Sequence, residues 1–383
     1  MSDRFPDGVA DVGIETVSLL DRYRVPIGLV ALVLFLRPVV ASDLLLGFEA
    51  VANRMLIVML FVAAFNLLFG FTGLLSFGHA MFLGFGVYVP AIVVLNGLPV
   101  PFLPVTLAPG GTLTYFVGVF LALGSVAAFS YLLARLIVEK GEIYFAMLTL
   151  AVSQAVYFIV LRDPGGLTGG SNGLTGGTLP GFVEQVRGQI SIRAFGASVD
   201  WYWVVAVVFL AAMLAIWQVL RSPFGRTLVA IRENEELARA MGVDTARYKV
   251  WSMTFSGVFA ATAGVLLEIN NSGAAIENLS VLTSGDTVLM AVLGGIQYFF
   301  GPLAGAFTWL FAEDFLTDFE VLHLPAAEFA VVSVDLGGIL GFWQFFLGAL
   351  FVIVVLTSPK EGVWGYVRSA AARLRDAARE GRE

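Results

Sequence analysis

The sequence predicts an all-α, polytopic integral membrane protein of about ten transmembrane helices, or eight plus a re-entrant pair. Three observations carry this. Of 383 residues, 58% are hydrophobic and only 13% charged, with a mean hydropathy of +0.87, against about 25% charged residues in an ordinary soluble domain. The apolar residues gather in ten runs near the length of about 20 that a span needs. The cations are distributed unevenly between the loops that join those runs.

Residues 1–24 carry Asp3, Asp7, Asp11, Glu15 and Asp21 and do not read as a cleavable leader. They are expected to form a cytoplasmic N-terminal segment, with insertion through the first span. The membrane domain is expected over 25–357. Its runs lie at 25–41, 54–70, 77–96, 113–135, 142–161, 201–220, 250–270, 286–300, 302–316 and 337–357. The eighth and ninth are short and meet at Gly301-Pro302, so they read either as two short spans or as one re-entrant hairpin.

Placing the N-terminus inside puts 17 of the 22 Lys and Arg residues on the cytoplasmic side, six of them between Arg221 and Lys249 and six between Lys360 and Arg382. By the positive-inside rule both termini are then cytoplasmic, with a tail over 358–383. The Ala- and Arg-rich stretch from Arg368 to Arg382 reads as an interfacial helix. The net charge of −7 argues against nucleic acid as a partner. Abundant acids beside scarce Lys suit a haloarchaeal, high-salt cytoplasm, while a GC-rich genome would equally favour Arg over Lys.

Several chemistries are excluded. The chain has no Cys and only His79 and His323, so disulfides, thiolate nucleophiles and a protein-made zinc site are not expected. Lys140, Lys249 and Lys360 each follow a residue other than Gly, which removes a P-loop. The chain is therefore expected to be neither an ATPase nor an enzyme of another kind. Ion-coupled transport wants a titratable group at the membrane midplane, but Glu49, Glu139, Glu268, Asp286, Glu313 and Asp314 sit near predicted span ends. A stand-alone secondary transporter or channel is the weaker alternative.

Two loops are long. The external one, 162–200, contains Gly-Leu-Thr-Gly-Gly at 166–170 and again at 173–177. It reads as an irregular surface loop or as a lid in which Thr168, Gly169, Gly170, Ser171 and Asn172 meet a solute. The internal one, 221–249, predicts two short helices, the first capped by Ser222 with Pro223 behind it, the second capped by Asn234 and ended by Gly242 in a left-handed turn. Leu228, Ile231, Ala238 and Met241 form a narrow apolar stripe there. That stripe either packs back on the bundle or enters a groove on another protein.

Ser76-Phe-Gly78-His79 opens the third span. A helix that starts inside the membrane leaves amide donors for a solute carboxylate, as in transporters with broken helices near the translocation path. The alternative is that Ser76 caps an ordinary helix and His79 bonds a neighbouring carbonyl. Ser256, Ala260 and Gly264, and separately Gly301 and Gly305, form small-residue faces that suit either a subunit seam or packing within one chain.

Glu236-Leu-Ala238-x-x-x-Gly242 resembles the coupling motif of ATP-binding-cassette importer permeases, departing from it at Leu237. The stretch from Ser222 to Lys249, with Phe71–Ala80, Ile143–Leu150, Leu167–Gly173 and Ser284–Gly295, is similar to the branched-chain amino-acid permease family over roughly 55–362. The resemblance implies a prokaryotic plasma-membrane subunit. It implies a sister permease, two cytoplasmic ATPase subunits that bind ATP and magnesium, and an external solute-binding protein, with no cofactor in this chain. It also implies that Arg226, Arg232, Glu233, Asn234, Glu236, Ala238 and Gly242 couple to the ATPase. The nearest sister branch carries urea and short amides.

Overall fold

The computed structural model describes residues 19–40, 49–99, 106–188, 190–192, 197–318, 321–327, 330–335, 343–358 and 361–380. The N-terminal segment expected over 1–24 lies outside the described residues as far as 18, and 381–383 of the tail lie outside as well.

Each of the ten apolar runs falls wholly or in part on a helix, with residue 41 of the first and 337–342 of the tenth outside the described residues. In chain order these are α1 (Leu19–Val40), α2 (Glu49–Thr72), α3 (Ala80–Asn96), α4 (Thr112–Ile137), α5 (Glu142–Arg162), α6 (Gly181–Arg187), α7 (Trp201–Arg221), α8 (Pro223–Glu233), α9 (Glu235–Ala240), α10 (Thr245–Asn271), α11 (Val281–Gly294), α12 (Gly301–Asp318), α13 (Trp343–Thr357) and α14 (Gly362–Glu380). Among the described residues five helices, α2, α4, α5, α7 and α10, are long and apolar enough to cross a membrane. The apolar part of α1, α3 and α11 are shorter.

The helices sort by what they bury. The apolar window of α2 is 83% buried and that of α10 67%, against 22% for α5 and 28% for α4. α2 and α10 are therefore the inner helices, while α4 and α5 turn Phe120, Leu136, Ile143 and Met147 outward. A continuous exposed apolar surface of this kind suits lipid and not water. α3 packs tightly on α10 because glycine occupies both sides of the contact. A Cβ on Gly264 would lie 2.1 Å from the Leu83 carbonyl oxygen, and one on Gly86 2.1 Å from that of Ala261. Ser256, on the same face, donates to the Ala64 carbonyl at 2.5 Å. Both small-residue faces thus pack inside this chain: a Cβ on Gly305 would meet the Met290 carbonyl of α11 at 1.9 Å.

The short pair is a hairpin that reaches from one end of the bundle to the other. α11 stops at Gly294, earlier than the apolar run predicts, because Gly295 turns the chain with φ 105. The turn beyond it touches the end of α2, where a Cβ on Gly70 would sit 2.1 Å from the Ile296 carbonyl oxygen. It also carries α14: Trp364 stacks on Phe300 at 5.2 Å and Arg368 lies over Tyr298 at 5.1 Å. This α8 end of the bundle holds α8, α9, the α11–α12 turn and the start of α14.

The opposite, Gly-rich end holds short ladders. β1 (Leu98–Pro99) pairs with β2 (Thr106–Leu107), β3 (Leu174–Thr175) with β6 (Gly273–Ala274), and β4 (Ile190–Ile192) with β5 (Ala197–Val199), all antiparallel. A hairpin of β7 (Val321–Ala327) and β8 (Ala330–Asp335) joins α12 to α13 in a segment for which the sequence offered no assignment. Its valines suit a strand, but the two residues between the strands in sequence, Glu328 and Phe329, are not the Gly or Asn that announces a hairpin turn.

Candidate functional site

At the α8 end, Ser222 caps α8, accepting from the Gly225 N–H at 3.4 Å, with Pro223 in the first turn. Phe224 stacks on Tyr248 at 5.3 Å and meets Phe255 edge-on, which fixes α8 against the start of α10. Leu228 and Ile231 are fully buried beneath it. Asn234 then caps α9 by accepting from the Leu237 N–H at 2.9 Å. Gly242 ends the unit at φ 85, with its own N–H on the Arg239 carbonyl and that of Val243 on the Ala238 carbonyl.

The apolar stripe divides. Leu228, Ile231 and Ala238 face the bundle, whereas Met241 is 78% exposed and Leu237, the position that departs from the family motif, is 60% exposed. Four residues apart, these two share one helix face. Arg226, Glu233, Asn234, Glu236 and Gly242 are exposed around them.

Arg232 turns the other way. Its guanidinium donates to the Gly70 carbonyl at the end of α2 and pairs with Glu233 at 2.5 Å. Its stem lies where a Cβ on Gly73 would meet it at 3.1 Å. Lys249, 6% exposed at its side chain, reaches Glu235 at 2.6 Å, and Arg239 reaches the same carboxylate at 3.1 Å. Burial acts to raise the Glu235 carboxyl, but the hydrogen bond and charge of Lys249, with Thr245 and Arg239, outweigh it and hold the group below its usual range. The loop is thereby clamped to the bundle as one body.

From Gly73 the chain folds back into the bundle before α3 begins. Ser76 is fully buried with its hydroxyl unpartnered, so it does not cap α3. That role falls to Ser284 of α11, whose Oγ accepts from the Ala80 N–H at 2.9 Å. A Cβ on Gly78 would lie 2.2 Å from the Thr149 carbonyl oxygen, so the turn presses on α5. His79 is fully buried, 3.2 Å from Ser256 Oγ, with the rings of Phe61, Phe65 and Phe82 at 5.4 to 5.8 Å. Its partner is thus a hydroxyl on α10 and not a neighbouring backbone carbonyl.

At the Gly-rich end the two copies of Gly-Leu-Thr-Gly-Gly do different work. The first folds on the end of α5: Asp163, in the left-handed region at φ 48, accepts from the Thr168 N–H at 2.7 Å and lies 2.9 Å from its hydroxyl. The Thr168 N–H, with further donors from the Thr168 hydroxyl and the Leu167 and Gly169 backbones, holds the Asp163 carboxyl below the usual carboxylate range. Gly170 is buried, while Ser171 and Asn172 stand exposed in a short 3-10 turn. The second copy supplies β3.

A cavity lies elsewhere than the sequence suggested. It encloses about 710 Å³ at the Gly-rich end, between α2, α10, α11, α12 and α13, and Arg54, Asp286 and Glu313 line it. In the sequence Asp286 and Glu313 were charges near span ends; only the packing of α2, α11 and α12 brings them together with Arg54.

The fold and composition define a multi-pass membrane protein built as a helical bundle. Residues 47–355 match the family described as branched-chain amino acid transport system / permease component. The chain belongs to that family. It is 26% identical over 293 residues to the high-affinity branched-chain amino acid transport system permease protein LivM of Salmonella typhimurium, and 24% to LivM of Escherichia coli, covering 72% of this chain in each case. It spans 64% of the length of both relatives. The galactose/methyl galactoside import permease protein MglC of Salmonella typhimurium is 32% identical over 119 residues, 31% of this chain and 34% of that one. No solved structure matches the chain.

Proposed function

We propose that the chain is the permease subunit of an ATP-binding-cassette importer for branched-chain amino acids. The observation that carries this reading is the α8–α9 unit, which is pinned to the bundle by Phe224, Arg232 and Lys249 yet leaves Leu237 and Met241 bare among exposed charges. A capped, clamped helix pair with an apolar tip can be pushed by a docked partner and pass the displacement to α2 and α10, because packed contacts move together. In this reading the α8 end is cytoplasmic and both termini lie on that side. Two ATPase subunits dock there, binding ATP and magnesium themselves, and Arg226, Glu233, Asn234 and Glu236 orient the contact. Ala238 seats α9, and Gly242 turns the chain into α10.

The Gly-rich end is then external. Its ordered turn over Thr168 to Asn172 presents exposed polar groups to a solute-binding protein, and a sister permease completes the pathway. Ser76, Gly78 and His79 shape the bend that starts α3 inside the bundle. The family and the LivM relatives support an aliphatic solute.

The test is uptake in proteoliposomes that hold the chain with its sister permease, ATPase and binding protein. ATP-dependent accumulation of leucine, competed by valine and isoleucine but not by galactose or urea, is the expected result. Accumulation of galactose or urea in place of leucine would overturn the solute assignment, and leucine accumulation without the ATPase would overturn the importer reading.

A further inference from the structure

α4 packs on α10 and α7 packs on α2, which leaves a gap between α4 and α7. α10 floors the gap with Thr262, Val265 and Ile269, and α6 closes it at the Gly-rich end with Phe182 and Val183, so that a cavity of about 450 Å³ remains. Both walls are helices long and apolar enough to cross a membrane. Phe116 and Phe182 stand exposed at the rim, and the walls run on into the exposed Phe120 of α4 and Val207 of α7. The cavity thus opens onto the apolar flank that suits lipid. Its three polar side chains have already committed their protons: the Tyr115 hydroxyl donates to Glu268 at 2.7 Å, the Thr262 hydroxyl to the Val258 carbonyl at 2.9 Å and the Trp201 indole to the Asn270 side chain at 3.3 Å. No side-chain donor is left for a polar ligand. One helical turn beyond Val183, Arg187 is half-buried and forms no ion pair among the described residues, and neither does the exposed Glu184.

We infer that this cavity is a lipid site, taking one acyl chain of an anionic phospholipid between α4 and α7 and the lipid's phosphate on Arg187. The occupant follows from size, chemistry and depth. One turn of helix, about 10–12 Å across and 5.4 Å long, fills roughly 400–600 Å³, so the cavity seats about one turn of a partner's helix and no partner span, whereas a hydrocarbon chain one carbon wide fits along it. A polar solute would lose its hydration there and gain no donor in return. Trp201, Tyr202 and Trp203 gather at the start of α7, where aromatic residues mark the headgroup level of a bilayer. A chain in the cavity then lies below that level and its phosphate at it, beside α6. The inference needs only the bilayer and draws nothing from the importer reading.

The test uses the full chain, purified in detergent and stripped of lipid. It is mixed with equal amounts of dioleoylphosphatidylglycerol and dioleoylphosphatidylcholine and read by native mass spectrometry. A single tight adduct is expected, with phosphatidylglycerol favoured roughly fivefold, the worth of one cation beside an anionic headgroup. Val119→Phe and Val204→Phe, on opposite walls, should each remove the adduct of either lipid, while Arg187→Gln should keep the adduct and lose the preference. Because a filled gap also strains packing, a third variant leaves it open. Thr262→Cys places the only thiol of the chain on the cavity floor. Its labelling by N-ethylmaleimide should slow severalfold with dioleoylphosphatidylglycerol and not with glycerol 3-phosphate, which has the phosphate without the chain. Unchanged adducts in both phenylalanine variants, or a thiol that the lipid leaves unprotected, would overturn the proposal. Protection by glycerol 3-phosphate would overturn the acyl-chain assignment, and an undiminished preference in Arg187→Gln the headgroup assignment. Loss of the sister permease from the purified transporter in Val204→Phe, with the lipid adduct intact, would give the cavity to that subunit instead.

Discussion

Gly242 offers the sharpest perturbation, because its environment isolates one physical effect. It sits at φ 85 and an added Cβ would meet nothing within 4 Å, so a larger residue there meets no steric wall. Only the backbone objects. A left-handed conformation costs an ordinary L-residue about 1–2 kcal/mol, and Asn much less because its side chain bonds locally. A β-branched residue falls at the upper end of that range or beyond it. A penalty of 1–2 kcal/mol lowers the ratio of the observed loop to its alternatives by about 5- to 30-fold, which becomes a loss of population of up to that size where the loop is only marginally favoured. Gly242→Val should therefore reduce the solute moved per ATP hydrolysed in the reconstituted transporter by up to that factor, Gly242→Ala by less, and Gly242→Asn hardly at all. Hydrolysis and uptake are measured in the same vesicles, with co-purification of the ATPase as the check on assembly. Equal coupling in the Val and Asn variants would refute the reasoning, since the two differ mainly in their tolerance of positive φ.

Three further outcomes follow from the same geometry. His79→Ala empties a site walled by three aromatic rings and should cost about 2–4 kcal/mol, read as a lower melting temperature in detergent. His79→Gln should lose less, and the KM for uptake should hold in both; a raised KM in both would make His79 a solute contact. Gly264→Val drives a side chain into the Leu83 carbonyl oxygen and should abolish accumulation of folded protein, whereas Gly124→Ala, at a position with nothing within 4 Å, should be neutral. The carboxyl of Asp163 is held below its usual range by donors present only in the folded loop. That group stabilises the loop at pH values above the unfolded value of ~4, and the contribution disappears as pH falls through the lower folded value. Protease nicking between 163 and 177 should therefore rise on acidification in the wild type and lose that dependence in Asp163→Asn.

The membrane helices were legible because a bilayer-length apolar run states its own fold. So were Ser222, Asn234 and Gly242, whose caps and turn depend on local chain chemistry. What escaped depends on contacts between distant segments. Ser76 reads as a cap in sequence, yet Ser284, more than two hundred residues away, accepts the Ala80 N–H. Leu237 reads as a departure from a motif, yet it and Met241 form the exposed apolar pair, while the rest of the stripe is covered. Asp286 and Glu313 read as charges near span ends and acquire a shared setting with Arg54 only when α2, α11 and α12 pack around one cavity.

The central claim is that the α8–α9 unit is where a motor protein docks. It is tested most directly by cross-linking from single cysteines in the otherwise cysteine-free chain. Met241→Cys at the C-terminal end of α9 and Ser171→Cys on the Gly-rich turn are each fitted with a short photoactivated cross-linker in the assembled transporter. The account predicts a covalent adduct with the ATPase from position 241 and none from 171. An adduct from 171, or none from 241 while the ATPase co-purifies with the chain, would contradict it.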